Sequence, residues 1–155
     1  MTGVEFNYKQ ALTFLPHWAR GVQVFANLTS QRAVGPETAN LSGYVPRTAN
    51  GGWSLTRDRF SLRMNWNYRG LARRIQVTGV GIESGTFQWS AERLQLDGQA
   101  NFNLSRRLSL FGNFRNLNDA PIETRTYGPS TPDYVRITSR ILVGSLWTFG
   151  ASMRY

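Results

Sequence analysis

Few residues in this chain have the types and spacing that chemistry needs. His17 is the only histidine among 155 residues, and there is no cysteine. A Ser-His arrangement needs its imidazole near a substrate-sized recess, whereas His17 lies between Pro16 and Trp18 in a short polar turn. Zinc-type clusters fail for want of Cys and His at ligand spacing. The stretch GVGIESG, residues 79–85, breaks the GxGxxG spacing and precedes no helical pattern, so it reads as an ordinary flexible loop. Formal glycosylation sequons at Asn27, Asn40 and Asn103 read as coincidence. The expectation is a non-enzyme with no cofactor and no metal.

What remains is arginine. The net charge is +9, and Lys9 is the only lysine among 18 basic residues. Such an excess suits an anionic surface, nucleic acid or an anionic ligand, and guanidinium groups grip oxyanions in a two-pronged way. Where the arginines point therefore decides what they do.

Strands place them. In FSLRMNWNYRG, residues 60–70, Phe60, Leu62, Met64, Trp66 and Tyr68 alternate with Ser61, Arg63, Asn65, Asn67 and Arg69. Period-two alternation marks a strand whose two faces meet unlike surroundings. The pattern recurs at 94–104 and at Trp147, Phe149, Ala151, Met153 and Tyr155, the last traceable back through Val143, Ile141, Ile137 and Val135 as one long strand. Weaker versions run over about 4–15, 21–31, 45–56 and 107–117. No segment sustains a period of 3.6. The fold class is all-β, with about seven strands of roughly ten residues, the length that crosses a bilayer when tilted.

Tight turns at Pro16–Arg20, Arg57–Arg59 and Ser105–Arg107 alternate with longer polar stretches at 32–44, 70–91 and 118–134. Sorted connections of this kind are what antiparallel outer-membrane barrels show. A soluble sandwich also alternates, but its exterior carries more Lys and Glu than these Asn-, Gln-, Ser- and Arg-rich faces do. A slip of one residue in 60–70 would turn Arg63 and Arg69 toward hydrocarbon, at roughly 2–4 kcal/mol each near the midplane. An odd strand count leaves two open edges, so the whole chain, 1–155, reads as part of a larger barrel. The start, MTGVEFNYKQ, lacks the layout of a secretory signal.

FRNLNDAP, residues 114–121, resembles the Asn-Leu element after the penultimate strand of TonB-dependent outer-membrane receptors, carried here by Asn116, Leu117, Asn118 and Asp119. ERLQLDGQANFNLSRRLSLFGNFRNL is similar to their paired late strands, and YVPRTANGGW and FSLRMNWNYRG to other late strands. WTFGASMRY looks like their last strand, with Tyr155 where Phe is commoner. The resemblance implies the C-terminal portion of a barrel of roughly 22 strands, without its plug domain. It implies residence in the outer membrane of a Gram-negative bacterium and uptake of a siderophore, cobalamin or glycan. Implied partners are outer-membrane lipid and lipopolysaccharide, the rest of the barrel and its plug, the TonB complex, and the outer-membrane assembly machinery. That machinery would read Trp147, Phe149, Met153 and Tyr155 as a signal.

Within that frame Arg63, Asn65, Asn67, Arg69, Asn113 and Arg115 face the lumen, toward ligand or plug. Arg73, Arg74, Arg125, Arg136 and Arg140 belong to long loops, where lipopolysaccharide phosphates or an anionic ligand could meet them. Two rival readings are a plug-less pore and a soluble basic protein that binds nucleic acid. The latter needs arginines and rings on one face. In 60–70 they lie on opposite faces, so no nucleic-acid partner is expected.

Overall fold

The computed structural model describes residues 2–35 and 43–153, the side chain of Trp18 excepted. Tyr155 and the Asn40 sequon lie outside the described residues. The architecture is all-β and antiparallel, and the described residues contain no α-helix. The larger of two sheets contains β1 (Thr2–Ala11), β2 (Val22–Arg32), β3 (Arg47–Thr56), β4 (Phe60–Arg69), β7 (Arg93–Asn103), β8 (Leu108–Arg115) and β11 (Leu146–Met153), in that spatial order. These seven match the alternating segments of the sequence. The sheet is open: β1 and β11 each pair on one side only.

The short turns fall where expected. A 3-10 turn at His17–Ala19 lies between β1 and β2. Arg57 closes the β3–β4 turn by donating its amide to the Phe60 carbonyl at 2.8 Å. In the β7–β8 turn the Ser105 hydroxyl accepts from the amides of Arg107 and Leu108, the local bonding that makes serine a turn residue.

The long connections differ from the sequence expectation. Residues 70–91 and 118–134 are not plain loops. They carry β5 (Ala72–Gln76), β6 (Phe87–Ser90) and β9 (Ile122–Tyr127), which with β10 (Ile137–Ile141) form a second sheet ordered β10-β9-β6-β5. That order repeats β11-β8-β7-β4. The second sheet is an extension of those four strands beyond a shared break at 70–71, 91–92, 116–121 and 142–145. The single long strand expected near the C-terminus is correspondingly two, parted where Gly144 takes a φ of 74°.

Register gathers the alternating residues onto two faces. Phe6 faces Leu28, Trp53 faces Met64, Trp66 faces Leu96, Phe60 faces Phe102, and Trp147 faces Phe114. Every apolar phase of the seven strands thus meets on one side. Glycine makes room there for a ring: a Cβ on Gly51 would lie 2.7 Å from the Trp66 indole. Nothing in the described residues covers this side. Trp66 is 39% exposed, Leu94 47% and Phe149 68%, and among the described residues no large side chain is fully buried. Among the described residues the buried apolar ones are four alanines, Ala19, Ala72, Ala91 and Ala120, three of them at the break between sheets.

Candidate functional site

The opposite side is built from polar tiers. Because directly opposed residues share a face, the register lines up Asn7, Asn27, Asn50, Asn67 and Gln95 across five neighbouring strands. The Asn27 amide nitrogen donates to Asn50 Oδ1 at 2.7 Å. A second tier runs through Ser54, Arg63, Gln99, Asn113 and Thr148. All six sequence-derived lumen residues lie on this one side.

The structure distributes them over two recesses. Asn65, Asn113 and Arg115 line an open recess of about 580 Å³ together with Asp97, Gln99 and Thr148. Asn67 and Arg69 line another of about 250 Å³ with Ser90, Arg93, Gln95 and Glu123. Arg63 lines neither recess: its Nε donates to Asn65 Oδ1 at 3.1 Å, and its guanidinium rests over the Phe25 ring at 5.6 Å. Phe25 and Phe111 are the aromatic exceptions on this side, each opposite a glycine, Gly52 and Gly150.

Asp97 and Arg93 were missed by sequence reasoning. Asp97 Oδ1 accepts from Gln95 Nε2 at 2.8 Å and from the Asn116 amide at 2.9 Å, and its Oδ2 accepts from Asn67 Nδ2 at 3.4 Å. It therefore couples the polar tiers to the turn after β8. The signal for Asp97 was its place on the polar phase of 94–104. For Arg93 it was the same phase extended back by one residue pair.

The Asn116–Asp119 element forms the break itself. Asn116 and Asp119 adopt φ of 54° and 47°, left-handed values that Asn and Asp tolerate better than most residues. Asn116 is 4% exposed. Its Oδ1 accepts from the Ala120 amide and its Nδ2 donates to the Gly144 carbonyl, both at 2.9 Å, which ties β8 to the β10–β11 junction. Asn118 replaces a stretch of ladder: its Oδ1 accepts from the Leu96 amide at 2.9 Å while its Nδ2 donates to the Leu94 carbonyl at 2.7 Å. One side-chain amide thus performs the paired donor and acceptor role of a peptide group. Leu117 continues the ladder from its own backbone, donating to the Leu96 carbonyl at 2.8 Å.

Trp147, Phe149 and Met153 are on the apolar side of β11, exposed, with Phe114 edge-on to both Trp147 and Phe149 at 5.6 Å. Arg73 lies on β5, Arg125 on β9 and Arg140 on β10, so these belong to the extension sheet rather than to loops. There arginines and rings do share a face, and two of the arginines lie over rings, while Arg125 Nε and the Trp89 indole nitrogen are buried without a partner. Arg73 covers Phe87 and Arg136 covers Tyr127, each at 4.7 Å, and Trp89 stacks on Tyr127 at 5.2 Å. Glu123 pairs with Arg125 at 3.3 Å and Arg140 at 3.4 Å.

Residues 79–85 form the tip between β5 and β6, with Gly81 and Gly85 at positive φ. Glu83 reaches across to the loop after β9. Ser130 donates its hydroxyl at 2.6 Å and its amide at 3.1 Å to Glu83 Oε2, the hydroxyl bond first and the amide second holding this carboxyl below its ordinary pKa. His17 sits in its 3-10 turn with its carbonyl accepting from Arg57 Nη2 at 3.2 Å. Among the described residues no group of His, Cys, Asp and Glu is placed to hold a metal ion. No protein-family model, curated protein or solved structure matches this chain.

Proposed function

We propose that the seven-stranded sheet spans the outer membrane of a Gram-negative bacterium as the C-terminal part of a TonB-dependent receptor barrel. In this reading it takes part, without catalysis, in uptake of a scarce ligand of the siderophore, cobalamin or glycan class. One observation carries the reading: a continuous apolar side crosses all seven strands with none of the described residues packed over it, while the other side is tiered with Asn, Gln, Ser, Thr and Arg. Soluble monomers rarely leave so wide an apolar surface bare. A bilayer covers it without a protein core, and closure into a barrel removes unpaired edges.

Strand lengths support the assignment. Five of the seven strands have 10 or 11 residues, and β8 and β11 have 8. A tilted membrane strand needs about 9–11. Seven antiparallel strands leave β1 and β11 running the same way, so antiparallel closure requires an odd number of further strands. The rest of a receptor barrel would supply them. The plug and the ligand would then meet the polar tiers, the extension sheet would stand above the bilayer, and lipid would meet Trp66, Trp147 and Phe149.

The test is the medium in which the chain folds. In bilayers containing brominated lipid, tryptophan fluorescence should be quenched, with Trp66→Phe and Trp147→Phe each removing part of the quenchable signal. A chain that is monomeric and unfolds cooperatively in plain buffer, with neither detergent nor lipid, would overturn the proposal. A plug-less pore would use the same two faces. Reading the genomic sequence upstream of Met1 separates the two, since only the receptor reading demands a plug-sized segment there.

A further inference from the structure

We infer that the recess at the top of β4 and β7 binds a small oxyanion, a phosphate or carboxylate group. Arg69 and Arg93 are directly opposed in the register and share the polar side. Like charges in that position repel. Neither has a carboxylate within ion-pairing distance among the described residues. Arg69 makes no hydrogen bond there, and Arg93 makes one, from Nη2 to the Ala120 carbonyl at 3.2 Å. Arg93 Nε is buried with no partner, which is a costly state for a charged donor.

The recess offers no internal anion to relieve this. Its one carboxylate, Glu123, already accepts from Arg125 through Oε2 and from Arg140 through Oε1. Asn67 and Gln95 aim their amide nitrogens at Asp97. Arg69, Arg93 and Ser90 therefore line the roughly 250 Å³ space with no carboxylate left to pair with either guanidinium. A planar carboxylate or a tetrahedral phosphate between the two guanidinium groups would take two-pronged bonds from Arg69, accept a further bond from Arg93 and offset the repulsion. The inference names a ligand class for the face assigned above; it rests on that uptake reading only for the purpose that binding serves.

The full chain, with arginine Nε labelled by nitrogen-15, is titrated with inorganic phosphate and then with citrate at constant ionic strength. The medium is micelles or plain buffer, whichever gives a dispersed amide spectrum. The Arg69 and Arg93 Nε–H signals should shift saturably with at least one of the two anions, and the stronger response identifies phosphate or carboxylate as the preferred group. Arg69→Gln should weaken that binding roughly tenfold or more, the loss expected for one charge-assisted pair. Arg106→Gln, in the β7–β8 turn, should leave it unchanged. Non-saturating shifts for both anions, no larger than that of Arg106, would overturn the site. So would equal responses to chloride. Arg69 is exposed, so Arg69→Gln decides the question even if Arg93→Gln fails to fold. Folding in plain buffer would sink the membrane reading and leave the anion result standing, while a silent titration in micelles would do the reverse.

Discussion

The two sheets solve opposite problems with the same strands. In the extension, charges and rings meet one another: all three ion pairs among the described residues lie between Glu123 and Arg140, and each of Phe87 and Tyr127 has its own arginine, although Arg125 Nε and the Trp89 indole nitrogen are buried without a partner. In the larger sheet no ion pair forms among the described residues, and the large apolar groups on one side are left exposed. In the membrane reading proposed above, the larger sheet is the one finished by what lies against it. On that reading the energy a core would supply comes from the medium.

The largest expected effect breaks the larger sheet's side of this contrast. Met64→Arg, at mid-strand on the apolar side, should cost about 2–4 kcal/mol in a bilayer. Thr29→Arg, on the polar side opposite Glu5, should stay within about 0.5 kcal/mol. Urea unfolding in lipid vesicles, followed by tryptophan fluorescence, measures both. Equal costs would mean that the two sides meet the same solvent.

A smaller effect should uncouple the sheets. Asn116→Ala removes a buried amide bonded to Ala120 and Gly144 and places a β-carbon residue at a φ of 54° without the side-chain bonds that hold it there, at about 2–3 kcal/mol. Hydrogen exchange should then speed up in β9 and β10 before it does so in β3 and β4. Uniform acceleration would show that the element does not mark a boundary.

The smallest effect is confined to the extension's tip. Glu83 is held below its ordinary pKa in the fold, so the stabilisation from its bonds to Ser130 is present above the ordinary carboxylate range and is lost as pH falls through the lowered value. The Ser130 amide proton should move upfield in that window, with Ser130→Ala raising the midpoint of the Glu83 carboxyl titration. An unshifted midpoint in the variant would remove the tether.

The seven long strands were legible because a strict period of two survives ten residues of sequence, as in Phe60–Arg69 and Arg93–Asn103. Of the extension only β10 was, as the backward continuation of the last strand through Ile141 and Ile137. Its strands have four to six residues, and ARRIQ in β5 shows no alternation to read. Their pairing depends on partners far along the chain, such as Trp89 opposite Arg125. The six lumen candidates followed from phase alone. What phase could not reveal was which of them share a recess, since that depends on register between β4, β7 and β8. Asp97 looked like any other polar-face residue until Asn116 and Gln95 were seen to converge on it. The Asn-Leu element was visible only as a resemblance, because nothing local in the letters NLND says that a side-chain amide will bond two residues of another strand.

That substitution of Asn118 for a peptide bond gives the molecule a built-in point of wear. Asparagine is among the chemically labile residues, and slow hydrolysis to aspartate would turn its donor nitrogen into an acceptor oxygen pointing at the Leu94 carbonyl. Two oxygens would then oppose each other where the Leu94 carbonyl now has the Asn118 amide nitrogen. An aged sample should begin to unzip at that stitch, well before its termini fray.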